Sequence, residues 1–474
     1  MIHIGAHDVH PAGIMTVSVG PVSGAGHTSP GCLKRLGPSA RPWRLYIRRN
    51  ARPSCVSNPP SLRPPDHVNV ESTVVLLFCV ATATAVAVRR LRVPYTVALV
   101  IVGLIMGSFD LVTPPRLTRE LLFTFFLPGL LFEAAFHLDL TAFSRIWRSA
   151  VALAVPGVIV GMVVTAAILV LVLRVVSGDP AYDWRFGLVF GALVAATDPV
   201  AVTALFKEVK APAELATLVE SESLFNDGTA IVFLALVLSF VSGTTPSIAT
   251  LGTQFLIVTG GGVALGLVMG RGIAYVIRRV DDPMIEITLT MIAAYGSFAL
   301  AEDLSVSGVL ATVVAGMFCA RHARETGMSE RSRAAAEGFW EYVGFALNSI
   351  VFLLIGFEFR IGDLLHLGRE IVAAFAAMFI ARAIIVGMLT LAQRNTSARL
   401  PRGWPTVLTW GGVRGALSLV LALALPPGIP GREQLVAITV GTVVLSLIVQ
   451  GFTMPYLIDR LGIVATPVSV DSKA

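Results

Sequence analysis

Residues 195–230 read AATDPVAVTALFKEVKAPAELATLVESESLFNDGTA. Within apolar surroundings this stretch sets Asp198 before Pro199, then Glu220, Glu222 and an Asn226–Asp227 pair on what reads as one long helix. Ionisable side chains at membrane depth are expensive and seldom kept for packing alone, so their default reading is ion or proton handling. The stretch predicts an all-helical, membrane-embedded chain organised around buried carboxylates.

The rest of the sequence agrees. Of its 474 residues 55% are hydrophobic and only 14% charged, against roughly 25% charged in a soluble domain. Apolar runs of about 20 residues recur from Glu71 onward, each long enough to cross a hydrocarbon core of roughly 30 Å. A set of soluble domains would need polar surfaces that are absent. The net charge of +6 reflects arginines in short loops, as a positive-inside bias requires, and does not argue for nucleic acid. Cys32, Cys55, Cys79 and Cys319 show no CxxC spacing and imply neither a disulfide framework nor a metal site.

Thirteen spans can be counted, at about 72–89, 93–109, 119–138, 147–175, 185–206, 213–241, 248–278, 284–302, 305–321, 337–359, 367–392, 405–425 and 433–459. The loops on one side carry Arg89, Arg90 and Arg92, Lys207 and Lys210, Arg278 and Arg279, Arg321 to Arg333, and Arg394 to Arg402. The opposite loops are short or nearly uncharged. This assigns the C-terminus to the cytoplasm and the N-terminus to the outside. Residues 1–70 differ, with clustered Pro, Gly and Ser and eight Lys or Arg between Lys34 and Arg63. They read as a disordered tail, with a lipid-binding basic arm as the alternative, and lack the apolar run of a cleaved signal. Their charge opposes the orientation, but long segments are weak topology signals, so the loops decide. Residues 461–474 read as a short cytoplasmic tail.

Two spans look interrupted at related places. Pro199 removes a backbone donor and pushes Asp198 away from helical dihedrals. Trp410-Gly411-Gly412-Val413-Arg414-Gly415 puts three glycines and an arginine in mid-membrane. Spans 1–6 and 8–13 then read as two six-helix halves of an inverted repeat, span 7 as their connector, and the two discontinuous helices as crossing at a midplane site.

On a helix, Glu220, Ser223 and Asp227 follow i, i+3, i+7 spacing and share one stripe; Glu222 and Asn226 lie on a second, about 100° round. A carboxylate taken out of water without a counter-ion holds its proton more tightly. Once the proton leaves, the same oxygens suit a small hard cation such as sodium. One carboxylate can carry either ion but not both, the minimum for exchange, and Asp227 is the first candidate. Asp198 is expected to complement a half-helix N-terminus, with Thr197 offering a carbonyl or hydroxyl to the ion. Pure charge compensation is the alternative for Asp198. Arg414 would play the opposite-sign part at a half-helix C-terminus in span 12. Glu133, alone among phenylalanines in FFLPGLLFEAAF (125–136), is a candidate ligand from a second helix bundle. His137, one turn beyond, is either a proton relay or an interface marker. Arg382 is a buried cation that needs a partner, and Glu222 is the proposed one. Gly262, Gly266 and Gly270 form a small-residue ridge for helix packing.

Taken together, Ala196-Thr197-Asp198-Pro199, Glu222 to Gly228, Phe126-Leu127-Pro128 through Glu133, and Gly411 to Ala416 resemble the monovalent cation/proton antiporter superfamily, in its NhaP-type electroneutral sodium/proton exchanger branch. The resemblance covers residues 71 to about 460. It implies thirteen helices, a homodimer, and a six-helix core (spans 4–6 and 11–13) moving against a dimerisation domain by alternating access. Asp227 would be the shared sodium and proton carrier, with Ser223, Thr197, Asp198 and Glu133 around the cation. Asn226 stands where the electrogenic branch has a second aspartate, which implies one cation per proton. Similar proteins also pair the glutamate and arginine that match Glu222 and Arg382. The expected activity is exchange of Na+, with Li+ as a second cation, for H+ across a plasma membrane, driven by ion gradients and without a cofactor. The alternatives are potassium/proton exchange by the same mechanism, a passive cation channel, and an intramembrane aspartyl protease using Asp198 and Asp227.

Overall fold

The computed structural model describes residues 70–463, apart from 89–93, 110–117, 177, 179–181, 244–246, 324–327, 359, 361, 363–365 and 397. The expectations for the first 69 residues, Cys32 and Cys55 among them, and for the C-terminal tail beyond 463, lie outside the described residues.

The regular structure assigned among the described residues is helical. We label the elements α1 (Val70–Val88), α2 (Tyr95–Ser108), α3 (119–137), α4 (140–176), α5 (Trp184–Leu193), α6 (Val200–Glu208), α7 (Ala213–Val241) and α8 (Ile248–Ile277). Then come α9 (283–303), α10 (Gly308–His322), α11 (Glu330–Phe357), α12 (Gly368–Gln393), α13 (Trp404–Trp410), α14 (Ala416–Leu423) and α15 (Arg432–Leu461). Seven of these are long and apolar enough to cross a membrane by length and composition, and shorter apolar helices accompany them. Two start a turn or two before the apolar runs: α4 at Leu140 rather than 147, and α11 at Glu330 rather than 337. The added turns carry Arg145, or Arg331 and Arg333, so hydropathy misses helix that the caps Asp139 and Ser329 begin.

The helices pack in two groups. α4, α5, α7, α12, α13, α14 and α15 pack mainly on one another; α1, α2, α3, α8, α9, α10 and α11 form the second set. In the second set the α8 ridge does what its spacing predicts. A side chain at Gly262 would strike the Ser307 carbonyl, one at Gly266 that of Ala311, and one at Gly270 Phe318. Small residues thus let α8 lie against α10 at backbone distance.

Three helices widen by one residue for a turn, at 122–126, 153–157 and 292–296. Such turns free carbonyls that need other donors. At the second, around Pro156, Thr229 of α7 donates to the Ala154 carbonyl at 2.6 Å. The first and third meet, where Tyr295 OH donates to the Phe125 carbonyl at 3.2 Å.

Candidate ion-binding site

Both interruptions read from the sequence are present. α5 stops at Leu193 and α6 starts at Val200; α13 stops at Trp410 and α14 starts at Ala416. The two breaks touch backbone to backbone, with Asp198 N–H donating to the Val413 carbonyl at 2.8 Å. Four helix ends therefore lie within a low-dielectric interior, and each needs partners for its unpaired groups.

The positive ends share one acid. Asp198 Oδ1 accepts from Val200 N–H at 3.0 Å, at the start of α6. Its carboxylate also accepts from the backbone of Ala416, at the start of α14. Gly415 makes that possible, since a side chain there would overlap the Asp198 carboxylate. The negative ends take the cations. Arg414 Nη1 donates to the carbonyls of Ala195 (2.8 Å) and Ala196 (3.1 Å), just past α5. Arg414 thus caps the other broken span and not its own, which corrects the role expected for it. The end of α13 is served by Arg382, whose Nε donates to the Leu408 carbonyl at 3.0 Å, and by Gln450, whose Nε2 donates to the Trp410 carbonyl at 2.9 Å. Anionic groups at N-termini and cationic groups at C-termini follow the helix dipole.

α7 runs past this crossing and presents two faces to it. On one, Glu222 is gripped by Arg382 of α12, Nη1 to Oε1 at 2.5 Å and Nη2 to Oε2 at 2.7 Å, with both side chains buried. On the same face Asn226 Nδ2 donates to the Ala195 carbonyl at 2.9 Å and reaches the Thr197 hydroxyl at 3.4 Å. Glu222, Arg382, Asn226 and Arg414 surround a void of about 20 Å³, room for one water.

The other face opens on a cavity of about 390 Å³ lined by Glu220, Ser223 and Asp227 of α7 together with Thr197 and Asp198 of the break and Glu133 and His137 of α3. Every ion-site candidate named from the sequence lines this one space. Ser223 Oγ donates to the Thr197 carbonyl at 2.5 Å. Asp227 Oδ1 is buried and has no hydrogen-bond partner. Glu133 fits against α11 because Gly344 has no side chain, and a Cβ there would strike its carboxylate. His137 Nδ1 lies 3.3 Å from Glu133 Oε1 and 2.9 Å from the Glu133 carbonyl.

The residues that sequence reasoning missed are those whose partners come from far along the chain. Gln450, Ser446 (whose Oγ accepts from Arg414 N–H at 3.1 Å), Thr229 and Gly344 serve the site from α15, α7 and α11. A polar stripe Thr439, Thr442, Ser446, Gln450 at helical spacing on α15, fully or almost fully buried, is the signal that would have found the first two.

The model of the transmembrane sodium/hydrogen exchanger family matches residues 74–460. The chain is 37% identical over 401 residues to the Na(+)/H(+) antiporter ApNhaP of Aphanothece halophytica, covering 84% of this chain and 75% of that protein. It is 36% identical over 359 residues to the Na(+)/H(+) antiporter NhaP of Pseudomonas aeruginosa, covering 72% and 81%. Among solved structures, the sodium proton antiporter MjNhaP1 from Methanocaldococcus jannaschii at pH 8 superposes with a TM-score of 0.68 at 20% identity, over 83% of this chain and 98% of that one. This last likeness concerns the fold.

Proposed function

The chain belongs to the sodium/hydrogen exchanger family, and on that premise we propose that it is a secondary antiporter exchanging one Na+ for one H+, with Asp227 as the group that carries either ion. One arrangement carries the reading. Of the two aspartates on the cavity, Asp198 is committed to two helix N-termini, whereas Asp227 keeps a buried oxygen without a partner. The two buried arginines of the crossing are also committed, Arg382 to Glu222 and Arg414 to backbone carbonyls. Asp227 therefore has no fixed cation, and a mobile one or a proton completes it.

Ser223, Thr197 and Glu133 supply the further oxygens, as sodium prefers; Asn226, Glu222, Arg382 and Arg414 hold the frame. A single exchangeable carboxylate supports electroneutral exchange. The relatives named above as Na(+)/H(+) antiporters favour sodium over potassium as the cation. Alternating access would come from one helix group shifting against the other. The remaining parts of this reading are a homodimer in the plasma membrane with the C-terminus in the cytoplasm.

The test is proton movement in everted membrane vesicles on adding sodium, with the voltage held at zero. Sodium-dependent collapse of a pH gradient by the native chain, absent in Asp227→Asn, is expected. No response to sodium, lithium or potassium would overturn exchange; a response to potassium alone would overturn sodium.

A further inference from the structure

The cavity holds two charged groups for which the exchange reaction has no stated use. Glu220 lies on the α7 stripe seven residues before Asp227, which is about 10 Å along a helix. Lys207, exposed near the end of α6, lines the same space. The cavity thus runs from Asp227, whose Oδ1 is buried, to a mouth beside the Lys207–Lys210 connection, the side that the loop charges assign to the cytoplasm. Glu220 feels the charges of Lys207, Glu133, His137 and Asp139. Of these, Glu133 has His137 beside it and Asp139 is spent capping α4 through Thr141 and Ala142. Among the described residues no such use is seen for Glu220, which lines the route the ion would take.

Resting on the exchange reading above, we propose that Glu220 is the cation-collecting group of the inner mouth and that Lys207 is its electrostatic brake. A cation approaching Asp227 passes a carboxylate that concentrates it and an ammonium that repels it, and the balance sets how readily the site fills from the cytoplasm. A low-dielectric wall focuses such fields, and charges near a mouth change occupancy without touching the carrier. Neither residue binds the ion in its final place, so neither should limit the step that crosses the membrane.

This separates charge from structure. In everted vesicles, whose outer face is the cytoplasmic one, the apparent KM for sodium is read at pH 8.5 for the native chain, Glu220→Gln, Glu220→Asp and Lys207→Gln. At an effective dielectric between water and protein, a unit charge about 10 Å away changes occupancy about three- to tenfold. Glu220→Gln is expected to raise the apparent KM by that factor, with the maximal rate within about twofold. Glu220→Asp should restore it, and Lys207→Gln should lower it. Both shifts should shrink when choline chloride raises the ionic strength. A loss of maximal rate at unchanged KM in Glu220→Gln, or shifts of the same sign in the Glu220 and Lys207 variants, would overturn the proposal. The sodium concentration that half-stabilises the purified full chain against heat gives the same ranking without transport. It tells failure of this proposal apart from failure of the exchange reading.

Discussion

Arg382 holds Glu222 through two nitrogens at 2.5 and 2.7 Å while its Nε binds the Leu408 carbonyl. One side chain thus ties α7 to both α12 and the end of α13. Removing it leaves a buried carboxylate without a counter-ion and an orphaned carbonyl together. Arg382→Met should destabilise the fold by about 3–5 kcal/mol, read as a lower melting temperature in detergent. Glu222→Gln added to it should recover part of the loss, because the buried charge is then gone. Arg382→Lys should not substitute, since an ammonium cannot span both oxygens and the carbonyl.

Asp227→Asn should behave in the opposite way. It removes a carboxylate whose buried Oδ1 lacks a partner, so the melting temperature should hold or rise while sodium-dependent proton movement falls to background. A variant that merely unfolds would lose both.

On the proposal that Asp227 carries either ion, competition for its carboxylate fixes the sign of the pH response. Protonated Asp227 offers no charge to a cation, so acidification raises the apparent KM for sodium. The rise approaches tenfold per pH unit once the carboxyl is mostly protonated, while saturating sodium restores the maximal rate. Steady-state exchange at several pH values reads this directly. A KM that stays flat while the maximal rate collapses would point to a separate proton site.

Ser223→Ala removes the hydroxyl that donates to the Thr197 carbonyl at 2.5 Å. The freed carbonyl and the lost oxygen should weaken sodium binding by about 1–2 kcal/mol, a five- to thirtyfold rise in KM. Ser223→Thr should recover much of it.

Gly415→Ala should fail more severely than either, because the added methyl meets the Asp198 carboxylate that the α14 N-terminus needs. Folded yield by size-exclusion chromatography is the measurement, and larger side chains should lower it further.

Much of this architecture is written locally. Apolar runs mark the crossings; Pro199 and the glycines from Gly411 to Gly415 mark the breaks, because each removes something a helix requires. The stripe Glu220, Ser223, Asp227 follows from helical period alone. Two buried charges of opposite sign suggest each other, which is how Glu222 and Arg382 come to be paired before any coordinates. What stays hidden is held by long-range contacts. That Arg414 serves the carbonyls after α5, that Gln450 serves those of α13, and that Gly344 makes room for Glu133 all depend on how distant helices meet. The polar first turns of α4 and α11 escape hydropathy for a different reason: they are amphipathic, and their helicity is set by caps rather than by oiliness.

Charged contacts link three of the four half-helices: Asp198 joins the heads of α6 and α14, and Arg414, just before α14, returns to the tail of α5. None of these three can tilt without tearing a charged contact from another, so the crossing acts as a latched hub. The boundary facing it is of another kind. Toward α3 and α11 the cavity wall is mostly apolar, with Phe126, Leu130 and Val351 beside Glu133 and His137. On the alternating-access proposal, the stiffness lies at the crossing and the more apolar wall lies on the side that would move past it.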